Sequence, residues 1–272
     1  MKLNKSFLVV LLAGLSFNSY AHRTWLLPSA TFVDTKEPWV TIDAAVSENL
    51  FDFDTNAMKL DGLIVTAPDG SHIKPDNQFT GRLRSSFDLK LAKPGTYKVS
   101  VVTEGVMASY KLNGEQKRWR GTEEAFAKEI PAGAQEVKAT RLHNRQETFV
   151  TAVKPDNAVF KSSGVGLELE PITHPNDLRT GEKARLRFLL DGKPAANLAF
   201  SLIPGGVRYR GVLNEIRLTT DENGAASIDL PEAGMYWVNA TYPPNVQAPA
   251  GSPPQQPARR VSYAATLEVL PQ

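Results

Sequence analysis

Lys93-Pro94-Gly95-Thr96-Tyr97-Lys98-Val99-Ser100-Val101-Val102 reads as a Pro-Gly turn that opens into an alternating, β-branched strand. Tyr97, followed by an x-Val step, has the setting of a tyrosine that ends up buried at the corner of a β-sandwich. The second half of the chain carries an echo. Glu232-Ala233-Gly234-Met235-Tyr236 also passes through a glycine into a tyrosine-led strand, which runs on through Trp237, Val238, Asn239 and Ala240. The repetition hints at two related sandwiches.

The flanking sequence has the same texture. Trp25–Leu27, next to Pro28, reads as an edge strand, and Trp39–Val46 alternates as a strand. Leu63–Ala67 and His72–Lys74 flank an Asp69-Gly70 turn, which makes a hairpin. Leu83–Leu91 is a further strand, and the Lys93–Val102 stretch is expected to pair back on it. Gly105–Leu112 reads as one more strand, closed by Asn113-Gly114, and Val137–Val153 as extended chain. That last stretch places Arg141, His143, Arg145 and Glu147 on one face, with Phe149, Thr151 and Val153 at the same parity, so it has no simple wet face. Thr122–Ile130 reads as the one convincing helix, capped by Thr122 and stopped by Pro131. Gln116–Arg120 is a small basic cluster around Trp119, expected to be a solvated face with the tryptophan packed inward.

Lys154–Ser163 has the composition of a linker. Beyond it Leu167–Ile172, Lys183–Leu190, Leu198–Ile203, Val207–Thr220, Ala226–Leu230, Gly234–Ala240 and Arg259–Leu270 alternate with turns such as Asp191-Gly192 and Asn223-Gly224. Pro243–Pro257 is rich in Pro, Gln and Gly and reads as a loop. The expected fold class is all-β: two antiparallel immunoglobulin-like β-sandwich domains in tandem with one short helix. The expected organisation is a signal peptide over 1–21, an N-terminal sandwich over 22–160 and a C-terminal sandwich over 161–272.

The leader reading rests on Lys2 and Lys5, the apolar run Phe7–Leu15, and the small residues Ser19 and Ala21 at the −3 and −1 positions of a cleavage site. The run is shorter than the ~20 residues a membrane span needs. Export of the mature chain follows. Without Lys2 and Lys5, the 31 Lys and Arg fall to 29 and match the 29 Asp and Glu. A near-neutral chain without basic runs excludes nucleic acid as a partner class. With no cysteine, an exported chain has neither disulfides nor thiolate ligands.

Cleavage after Ala21 makes His22 the first residue. Its α-amine and imidazole can then chelate one metal ion in a small ring, and the amine is partly unprotonated near neutral pH because its pKa is about 7.7–8.0. Nitrogen ligands without thiolates suit nickel, copper, zinc or cobalt, with copper the strongest competitor. Against this stands an accidental histidine at a cut site. Ser47–Asp54 reads either as a surface loop anchored by Leu50, Phe51 and Phe53, or as a cation or substrate rim of Glu48, Asp52 and Asp54. His72 follows a turn and reads as solvated, and His143 among arginines is a poor cation ligand. Serine-hydrolase elbows, phosphate-binding glycine loops and His-Glu-x-x-His are absent from the sequence.

Ala21-His22-x-x-Trp25-Leu26-x-Pro28 combines with Gly166–Leu178, Leu190–Pro194, Thr220–Gly224 and Ala233–Tyr236 into a familiar whole. Over nearly all of the mature length the chain resembles an uncharacterised family of exported bacterial proteins labelled as related to the periplasmic component of cobalt or nickel uptake systems. The resemblance implies a non-catalytic periplasmic protein that binds or delivers a transition metal, nickel, cobalt or copper, and that partners a membrane transporter or outer-membrane receptor. It points to His22 and then His174 as metal ligands. His174 is framed by Pro171 and Pro175, with Glu170 and Asp177 near in sequence; the plainer alternative, which its setting favours, is a residue packed at the interdomain hinge and donating to a backbone carbonyl. Two other readings stay open: a copper enzyme with an amino-terminal histidine brace, which needs a second histidine across from His22, and an adhesion or scaffold module without a metal. N-terminal sequencing of the exported protein is expected to return His22 first; any other residue there removes the chelate.

Overall fold

The computed structural model describes residues 22–244 and 258–272, so the leader and most of the Pro/Gln-rich loop lie outside the described residues. Strands dominate, and they form sheets of five, eleven and four strands. The largest sheet is built on two strands of 18 residues each, Gly95–Leu112 and Gln135–Ala152, paired antiparallel along nearly their whole lengths. On the far side of the second strand lies the C-terminal strand Arg259–Leu270, paired in parallel from Arg141↔Arg259 to Thr148↔Thr266. This ladder makes the two halves of the chain share one sheet.

Side-chain alternation then decides what covers each face. Along Gln135–Ala152, Phe149 belongs to the core of the C-terminal half and Val150 to that of the N-terminal half. Successive strand residues point to opposite faces, so the two cores lie on opposite faces of the shared sheet. The five-stranded sheet contributes Leu26, Val40, Ile42, Phe87 and Leu89 against Val65, Val99, Val101 and Val150. The four-stranded sheet contributes Leu167, Leu169, Leu186, Phe188 and Ile228 against Phe200, Val238, Tyr263 and Leu267. Each is an all-β sandwich with one layer of its own and one in common. A third cluster joins them, with Trp25, Ala45 and Leu50 from the first half and Ile203, Val207, Trp237 and Ala264 from the second.

The two tyrosines do what their spacing requires. Tyr97 is buried, and its hydroxyl donates to Lys93 O (2.9 Å) and accepts from Lys93 N–H (2.7 Å). Tyr236 is equally buried and donates to Glu232 O at 2.9 Å. Both are corner tyrosines bonded four residues back. Two segments differ from expectation. The Lys93 stretch does not return to Ser85–Lys90. It crosses to the large sheet, where Gly95–Leu112 is one continuous strand rather than two. Its buried positions change parity across Gly105, from Val99 and Val101 to Val106 and Ala108, yet Gly105 stays in the ladder opposite Leu142, so nothing stops the strand before the Asn113-Gly114 turn. Val207–Thr220 is not extended throughout: Val207–Arg210 is one helical turn held by Arg210, whose guanidinium donates to the carbonyls of Pro204, Gly205 and Leu213. The helix Glu123–Glu129 has its Thr122 cap, and Trp119 packs on Phe126 while donating to Glu129.

The segment read as a linker is pinned rather than free. Ser162 Oγ and the N–H groups of Ser163 and Gly164 donate to the Glu168 carboxylate, which also faces Arg145 at 3.7 Å. Burial works to raise the pKa of Glu168, but these donors and the guanidinium outweigh it and hold it below its ordinary value. Arg145 also meets Glu147, which accepts from Ser100 and Tyr263. Because both cores share a sheet and this network, unfolding is expected to be one transition, with tryptophan fluorescence and far-ultraviolet circular dichroism coincident in urea. Phe149→Ala should lower stability by about 3–5 kcal/mol without separating the probes; separate midpoints would show that the halves unfold independently.

Candidate functional site

Where the cover of the five-stranded sheet ends, the shared sheet carries polar side chains instead of valines. Thr241 pairs with Ser262, Ser262 with Asn144, and Asn144 with Thr103, so one row of hydroxyls and amides crosses four strands. Ser262 Oγ donates to Asn144 Oδ1 at 2.7 Å, and Asn144 Nδ2 donates to Thr103 Oγ1 at 3.4 Å. The next row runs Ser201, Asn239, Ala264 and Gln146. Asn239 Nδ2 donates to Tyr263 O at 3.1 Å. These rows floor a cleft of about 650 Å³, walled by residues of both halves. Trp237, whose indole N–H donates to Thr24 O at 2.9 Å, ties the first strand over one end of it.

His22 stands at the rim of this cleft. Its side chain is 54% exposed and its Nε2 lies 3.9 Å from Glu48 Oε1. Arg23, next in line, donates to Glu48 O at 2.7 Å; burial lowers its pKa and the charge of Glu215 pushes it back up. The Glu48 loop is built by Asp54, whose carboxylate accepts from the N–H groups of Glu48 and Asn49 (3.0 Å each) and from Thr55 Oγ1 (2.9 Å). Burial favours a raised pKa for Asp54, and these donors reverse it to a lowered one. Leu50 is buried, and Phe51 and Phe53 pack on Trp25 with ring centroids 5.6 and 5.4 Å apart. The loop is therefore anchored by its apolar residues and presents Glu48 to His22. Asp54 is consumed internally. Asp52 Oδ2 is buried without a hydrogen-bond partner among the described residues.

The other histidines sit elsewhere. His72 is exposed at its hairpin. His143 is buried, with Nδ1 3.1 Å from Glu104 Oε1. Its ring is backed by Gly166, where an added Cβ would stand 2.4 Å from His143 Cδ2. His174 lies at the junction of the halves, its ring edge-on to Phe160. Its Nδ1 accepts from Asn176 N–H at 3.1 Å, which leaves the ring proton on Nε2, 3.1 Å from Asp156 O and 3.0 Å from Thr96 Oγ1. Both ring nitrogens of His174 are thus engaged with the protein. Of the four histidines only His22 lines the cleft, so the structure does not bring His22 and His174 to one site. Among the described residues no group of three or more His, Cys, Asp or Glu side chains is placed to hold a metal ion.

The polar floor was not among the sequence-derived site residues. Its one signal is the lack of a simple wet face in Val137–Val153: Asn144 and Gln146 fall on one face, Arg145 and Glu147 on the other.

A family model described as "Domain of unknown function (DUF4198)" matches residues 19–243. No curated protein sequence matches the chain. Among solved structures, the D0-D1 domain of intimin aligns over 90% of this chain and 97% of its own at 13% identity, with a TM-score of 0.23. The ICAM-5 D1-D4 ectodomain fragment aligns over 92% and 51% at 10% identity, with a TM-score of 0.22. A tetra-tandem repeat of the extending region of a large adhesion protein aligns over 92% and 74% at 12% identity, also at 0.22. Likenesses this remote bear on no function.

The pKa of His174 is lowered from 6.5, first by burial, with Asp156 opposing. The unfolded chain therefore binds the proton more readily, and the stability that neutral His174 contributes is complete above pH 6.5 and lost as pH falls below it. The melting temperature is expected to drop as pH falls below 6.5, and His174→Gln should flatten that part of the profile. An unchanged profile would place the titration elsewhere.

Proposed function

This chain belongs to the DUF4198 family, and on that premise we propose that the mature protein is a periplasmic, non-catalytic transition-metal carrier whose metal site is its own amino terminus at His22. The observation that carries the reading is the setting of His22. It is the one histidine at the rim of the cleft, its imidazole is half exposed, and Glu48 faces its Nε2. In a chain cut after Ala21, Nδ1 and the α-amine can close a chelate, while Nε2 faces the Glu48 carboxylate at 3.9 Å, the side on which a metal-bound imidazole commonly finds its outer partner. The donor set is nitrogen and oxygen without sulfur, which fits nickel, cobalt or copper. It needs no cluster of three side chains, because the amine supplies a donor that no side chain provides. His174 has no part in this site, since both its ring nitrogens are committed. A membrane transporter or outer-membrane receptor would be the partner that takes the metal on.

The test is calorimetric titration of nickel, cobalt, copper and zinc into protein beginning at His22, beside a copy that retains Ala21. Acylating the amine removes one chelating donor, so affinity should fall by at least ~100-fold, more than the loss of a group that only hydrogen-bonds a ligand causes. His22→Ala should do the same, and Glu48→Gln should weaken binding by about tenfold or more. Equal affinity of the two copies, or no binding by either, would overturn the reading.

A further inference from the structure

Gln146 is 8% exposed and lines the cleft behind His22, yet its carboxamide makes no hydrogen bond among the described residues. In the ladder it stands between Ala264 and Val101, neither of which offers a side-chain partner. Left free by the chain at the floor of the cleft, this amide has its donor and its acceptor open to whatever enters there. We infer that the cleft is a binding site for a neutral, polyhydroxylated small molecule, a saccharide of one or two rings, independent of any metal at His22.

The chemistry of the floor selects that class. Amides and hydroxyls each both donate and accept, which matches a ring of hydroxyl groups and no single charge. Gln146 offers both functions, and Asn239 has its Oδ1 left after Nδ2 is spent on Tyr263 O. The charged groups Arg23, Lys59, Arg120 and Glu215 stand among the lining residues outside the polar rows, so no carboxylate or cation lies on the floor itself to demand an ionic ligand. Trp237 supplies an apolar surface beside the amides. An extended peptide is disfavoured by the backbone. The floor is the face of a sheet whose strands there are paired on both sides, and the edge strand at the wall, Arg23–Pro28, has its Thr24 carbonyl taken by Trp237. At about 650 Å³ the cleft falls within the ~300–1,000 Å³ of small-molecule sites.

The experiment is side-chain amide NMR on labelled protein beginning at His22, kept in EDTA. Glucose, N-acetylglucosamine, maltose and cellobiose are titrated in separate runs, with glycylglycine and citrate as peptide and anionic probes. At least one saccharide should shift the Gln146 and Asn239 NH₂ resonances saturably. Gln146→Leu should weaken that binding by about tenfold or more, as expected for lost hydrogen bonds, and His22→Ala should leave it intact. If none of the saccharides moves these resonances, or if glycylglycine or citrate alone does, the inference is overturned; the wild-type titration decides this even if Gln146→Leu does not fold. Because the metal is absent throughout, failure here leaves the His22 reading standing, and failure of the metal titration leaves this one.

Discussion

The eight-residue parallel ladder between Arg141–Thr148 and Arg259–Thr266 is the constraint on which the rest of the molecule depends. Parallel pairing cannot be made by a hairpin and needs a long crossover. Here the crossover is most of the C-terminal half. Once the last strand is docked beside Gln135–Ala152, the two halves own one sheet, and period-two alternation sends Phe149 to one core and Val150 to the other. Neither half can shift against the other without breaking that ladder or turning a core residue outward.

The cleft follows from the same geometry. A sheet covered on one face by a smaller sheet has area left over, and here that area carries Asn144, Gln146, Asn239 and Ser262 rather than valine. The first described strand crosses the end of this area because Trp25 and Trp237 bury together with Ala264, and the indole of Trp237 bonds Thr24. His22, three residues before Trp25, is thereby held at the rim. The position of His22 is a packing result before it is a chemical one.

Much of the architecture was legible in the sequence. The glycine-to-tyrosine turns at Tyr97 and Tyr236 gave two corners because a buried phenol must find a partner and the backbone four residues back is within reach. Thr122 and Pro131 bounded the helix through capping and a missing N–H. The shared sheet was not legible, because which strand neighbours which is a long-range fact that alternation within a strand does not encode. For the same reason the row Thr241–Ser262–Asn144–Thr103 could not be read: its members lie far apart in the chain and meet only through register. His22 was visible because the pattern expected of a cleavage site before it is local. The engagement of His174 with Thr96 and Asp156 was not, although a hinge residue donating to a carbonyl was one of its two readings.

The central claim is that one imidazole and the amino terminus hold the metal. Pulsed electron paramagnetic resonance on copper-loaded protein beginning at His22 counts the coordinated rings directly. A single bound imidazole, unchanged in His174→Gln, is the predicted result. Two bound imidazoles, or none, would contradict it.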